Sequence, residues 1–96
     1  MTRENLFKIK ESASKYAFAK VWTIRNSVTA WSHEYAKKEQ KAFDEFMKVL
    51  AELNLTAKEI EYCLIYAHEY AMNFYKSLKI SDSNAELAKQ LEVALM

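Results

Sequence analysis

The chain has no glycine and no proline among its 96 residues. Glycine supplies the positive φ that two-residue hairpin turns and phosphate-cradling loops need. Its absence excludes dinucleotide fingerprints and P-loops and leaves a sheet without its usual turns. The single cysteine, Cys63, can form neither an internal disulfide nor a cysteine-based zinc site, and such usage fits a reducing compartment. Long apolar runs are missing as well. The longest, Tyr62 to Ala67, falls far short of the roughly 20 residues that span a bilayer. The opening stretch MTRENLFKIKES lacks the apolar centre of a secretory signal. A cytoplasmic location without a transmembrane segment is the expectation.

What is present is the mix of a folded helical protein: 51% apolar and 28% charged residues. The length allows one small helical domain over 1–96, with a core modest enough that a partner or a second copy would add stability. Net charge is only +1, yet it is unevenly spread. Residues 1–25 hold six basic and two acidic side chains, residues 26–50 balance, and residues 51–96 carry four basic against seven acidic. An anionic partner would be received only by the first segment.

Without glycine or proline, helix boundaries must be written with Asn, Asp, Ser and Thr. In LNLTAKE, Asn54 can take the left-handed conformation that ends a helix, and Thr56 with Glu59 forms a capping box for the next. In KISDSNAE, Ser83 and Glu86 repeat that spacing, with Ser81 and Asp82 as neighbouring caps. Thr2 can cap the first helix. These signals place helices near 3–25, 28–53, 57–80 and 84–95. The fold class is all-α, a small antiparallel bundle of three long helices and a short C-terminal one. The poor helix material TIRNSVT favours a turn near residue 26. The alternative is one continuous helix over 3–53, about 75 Å long, which would need a second copy to bury its stripe.

The tetrapeptide HEYA occurs at 33–36 and again at 68–71, and these hold the only two histidines. On a helix of 100° per residue the two copies face differently. In 28–53 the expected core stripe is Trp31, Tyr35, Ala42, Phe46, Val49 and Leu53, with Tyr35 buried and His33 on the far side. In 57–80 the stripe is Ile60, Cys63, Leu64, Ala67, Ala71, Phe74 and Leu78, with His68 and Tyr70 at its two borders. The repeat is an accident of composition. Neither histidine has a glutamate three residues before it, so the di-iron pattern is missing, and so is the zincin spacing. Cys63 falls on the core stripe, where a cysteine is a small hydrophobe and not a nucleophile. The chain is expected to be no enzyme and to hold no metal or cofactor.

Apolar surface is left over. On the first helix Phe7, Phe18 and Trp22 fall away from the core stripe, among Lys8, Lys15 and Arg25. Those six residues are the expected partner-binding face, aromatic anchors with a basic rim. The helix 57–80 is apolar on several sides, with Ile65, Met72 and His68 in one set and Tyr62 and Tyr66 in another, which suits a central helix buried all round. Leu87, Ala88, Leu91 and Leu95 make a narrow stripe for docking in a groove. A protein-binding module, forming a homo-oligomer, is the leading expectation. A nucleic-acid regulator using the basic first helix is the alternative, and a membrane-surface helix comes third. Size and composition put the chain in the company of small phage and plasmid inhibitors, immunity proteins and adaptors.

Overall fold

The computed structural model describes residues 1–77 and 82–95. Within them the chain forms four helices and no strand: α1 (Arg3–Arg25), α2 (Ser32–Glu52), α3 (Ala57–Ser77) and α4 (Asp82–Leu95). The first begins where the sequence places it, with the Asn5 N–H donating to Thr2 Oγ1 at 3.1 Å. Its inward stripe is Leu6, Ile9, Ala13, Ala17 and Val21, spaced three and then four apart, and all five are buried. Two alanines in mid-stripe keep this face flat, so neighbours can close in on both sides. α1 accordingly packs against both α2 and α3, and α3 in turn carries α4.

This order corrects the expectation for the third helix. α1 occupies the middle, while α3 leaves Leu64, Ile65, Met72 and Tyr75 exposed. The buried arc of α3 runs through Cys63, Tyr66, Ala67, Tyr70 and Ala71. α4 lies along the Tyr66 side, which rotates the core away from Leu64 and toward the two tyrosines. Leu91 and Leu95 of α4 are buried, with Leu87 and Ala88 packed beside them, so the narrow leucine stripe docks on its own chain. The Lys10 ammonium donates to Glu92 Oε1 at 2.7 Å and ties α4 to α1. Leu78 and Ser81 lie outside the described residues, as do the capping side chains expected at Asp82 and Ser83.

The chain turns between α1 and α2, so the continuous helix is excluded. The connection runs from Asn26 to Trp31, and side chains do there what glycine does elsewhere. Both the backbone N–H and the side-chain amide of Asn26 donate to the Trp22 carbonyl, at 3.0 and 2.8 Å. The Thr29 hydroxyl donates to the Asn26 carbonyl at 2.9 Å and accepts from the Trp31 N–H at 3.3 Å. Such local bonds compete with the helix ladder and end it. The Thr23 hydroxyl lies 2.9 Å from the carbonyls of both Ala19 and Tyr35, joining the last turns of α1 to the first of α2. The second helix therefore starts at Ser32, later than residue 28. Val28 is 94% exposed and Trp31 66%, and Tyr35 is only half-buried. The core of α2 is Phe46 and Leu50, with Val49 and Leu53 packed beside them.

The second connection follows its sequence closely. Asn54 has φ 53°, the left-handed conformation that an asparagine tolerates better than most residues. The Thr56 N–H donates to Glu59 Oε1 at 2.9 Å and the Glu59 N–H to Thr56 Oγ1 at 3.2 Å, a reciprocal capping box.

Candidate interaction surface

α1 and α3 run parallel, so one end of the bundle gathers the α1–α2 connection and the C-terminus of α3. Four large apolar side chains within ten residues of sequence are exposed there: Trp22, Ile24, Val28 and Trp31. Arg25 at the end of α1 and Lys37 and Lys38 in the first turns of α2 bring positive charge to this end, with Glu34 as an acid among them, while the Lys20 ammonium lies back along α1, 6.0 Å from the Tyr16 ring centroid. The Arg25 guanidinium lies over the Tyr75 ring of α3, 5.5 Å from its centroid. That contact holds the cation at the edge of the end face instead of leaving it to wander.

The six residues expected to bind a partner do not form one patch. Phe18 is a correction. It is half-buried, edge-on to Tyr70 and Phe74 with ring centroids 5.6 and 4.7 Å away. It belongs to the α1–α3 contact, because the core arc of α1 widens toward α3 beyond the ideal stripe. Phe7 is 62% exposed, but it lies some four turns from Trp22, beside a groove lined by Arg3, Leu6, Lys10 and Glu92. Lys8 and Lys15 pair along their own helix, with Glu4 at 3.9 Å and Glu11 at 3.2 Å. Trp22 and Arg25 remain at the open end. Ile24, Val28 and Trp31 join them, and all three were missed. Their signal was the TIRNSVT run: read as a full connection, it puts Val28 outside any helix and removes Trp31 from the core stripe.

Reactive groups are sealed or dispersed. Burial, and secondarily the charge of Glu59, pushes the Cys63 thiol up to about 11, so it stays protonated at neutral pH. Burial also raises the Tyr66 phenol, to about 12, with Tyr70 and Glu92 adding to it. Tyr16 and Tyr70 are raised by burial too, Tyr16 with a smaller push from Glu39. His33 and His68 sit exposed on different helices. Among the described residues, no three His, Cys, Asp or Glu side chains gather as a metal would require, and no helix is long and apolar enough to cross a membrane. No family model matches this chain, and no curated protein and no solved structure matches it either.

Proposed function

We propose that this chain is a non-enzymatic protein-binding module that docks on its target with the open end of the bundle. One observation carries the reading: Trp22, Ile24, Val28 and Trp31, four large apolar side chains within ten residues, stand in water at one end of the fold. Each large apolar group left exposed forgoes roughly 1.5–3 kcal/mol of burial free energy, which a complementary pocket would recover. Tryptophan and arginine are both among the residues enriched at interface hot spots. The positive charge of Arg25, Lys37 and Lys38 favours a target whose pocket is bordered by carboxylates, and steers the encounter. Inhibitors, immunity-type regulators and adaptors act in this way, by covering a surface. The basic first helix is a poorer nucleic-acid reader, because Lys8, Lys10 and Lys15 are each paired with a carboxylate.

The test is comparative capture from the source cell by the wild-type chain, by Trp22→Ala with Trp31→Ala, and by Phe7→Ala. A protein held by the first and third and lost by the second, then bound by the purified chain at least about a hundredfold more tightly than by the double variant, supports the reading. Capture indifferent to both tryptophans overturns it. So does steeply salt-dependent binding of duplex DNA, or binding only to anionic vesicles, that disappears with the same two residues.

A further inference from the structure

The outer face of α3 carries apolar side chains that the core leaves in water, and only Tyr75, at its C-terminal edge, reaches the open end. Leu64, Ile65, Met72 and Tyr75 are exposed there, with Ile65 half in water, and the exposed His68 lies in mid-face. α1 covers the Cys63–Ala67–Ala71 side of this helix and α4 the Tyr66 side, with Ile65 at the margin of the groove between α3 and α4, so Met72 and the outer side of Ile65 have no described element over them.

We propose that this face is a homodimer interface, in which α3 packs antiparallel against α3 of a second copy of this chain. The argument is the order of residues along the face. Glu61, Ile65, Met72 and Lys76 follow one another at intervals of four, seven and four, a spacing that reads the same in both directions. A two-fold axis between His68 and Glu69 sets Ile65 level with the second copy's Met72, and Glu61 level with its Lys76. The apolar pair and the ion pair are each made twice by symmetry. Parallel pairing of the same face would put Glu61 against Glu61 and Lys76 against Lys76, so charge selects the antiparallel arrangement. Neither Glu61 nor Lys76 makes an ion pair within the described chain, so both charges are available to the second copy. The contact runs about 22 Å along the helix, a small interface suited to a reversible dimer that dissociates on the order of tens of micromolar. The open ends then point away from each other, giving a bivalent binder. The dimer stands or falls independently of whether those ends bind a target.

Sedimentation equilibrium of the full chain, from about 1 µM to about 1 mM, tests this directly. The wild type should pass from its 11.3 kDa monomer to twice that mass. Ile65→Glu should weaken dimerisation roughly a hundredfold or more, since it sets a carboxylate against Met72 in both Ile65–Met72 pairs. Circular dichroism should show its helices intact, because Ile65 packs on the surface. Glu61→Lys alone and Lys76→Glu alone should each weaken the dimer about tenfold, and the two together should restore it. The two positions are too far apart on one helix to touch, so restoration requires pairing between copies. A monomer throughout the range overturns the proposal. A dimer indifferent to Ile65→Glu, or a charge swap that does not recover, overturns it equally.

Discussion

The two ends of this bundle solve the same problem with opposite results. Each must reverse the chain without glycine or proline. At the α2–α3 end, Asn54 takes the left-handed conformation, Thr56 and Glu59 cap each other, and Leu53 and Leu55 fold back onto the core. At the α1–α2 end, Asn26 and Thr29 satisfy the backbone just as well, yet Val28 and Trp31 project outward. Backbone satisfaction therefore does not require an exposed tryptophan, and the closed end shows that this chain can tuck its connection leucines in. The difference lies in what the side chains are left to meet, which is why the open end reads as a binding surface and not as a by-product of turning.

The boundary between sealed and open surface falls within one turn of α1, between Phe18 and Trp22. Phe18→Ala removes a ring wedged against Tyr70 and Phe74, and should cost about 2–3 kcal/mol in chemical denaturation, part of the full loss seen for a wholly buried ring. Trp22→Ala and Trp31→Ala should each stay within about 0.5 kcal/mol of wild type. Equal losses at Phe18 and Trp22 would erase the distinction between the ends. Next in size is Thr56→Ala, which breaks the capping box at the closed end and should cost about 1 kcal/mol by the same measurement. Smaller again is Asn54→Gly, which relieves the left-handed backbone and should raise stability by about 0.3 kcal/mol. A loss there would mean that the asparagine side chain, and not its tolerance of positive φ, holds the turn.

Most of the architecture was legible because it depends on local chemistry. Thr2, Asn54, Thr56 and Glu59 act where their sequence positions place them, and the stripe of α1 follows from spacing alone. What could not be read was which helix sits in the middle. α3 has more apolar residues than α1, but the flat Ala13–Ala17 face of α1 lets two neighbours approach, and flatness is a tertiary property. The error on Phe18 has the same source: an ideal stripe cannot show that a second helix approaches from the flank. Trp22 and Arg25 are exposed, as their place off the α1 stripe implies. Trp31 was placed in the core stripe of 28–53 because its spacing fits that phase, although the side chains of the connection had already ended the helix.

The smallest effect concerns the link that holds α4 to α1 at the end opposite the tryptophans. The hydrogen bond from Lys10, and then its charge, hold the Glu92 carboxyl below the usual carboxylate range, opposed by some burial and helped by Arg3 and Lys89. A carboxyl lowered on folding stabilises the fold above its unfolded value of about 4.3. That contribution fades as pH falls through the folded value and is gone once the carboxyl is protonated in both states. Glu92→Gln should therefore melt slightly below wild type at neutral pH, and the gap should close in acid, below the ordinary carboxylate range. Because the carboxylate is partly exposed, the gap should also narrow with added salt. A gap that persisted unchanged in acid would assign Glu92 a packing role, and α4 would then be held by packing, with Leu91 and Leu95 at its centre.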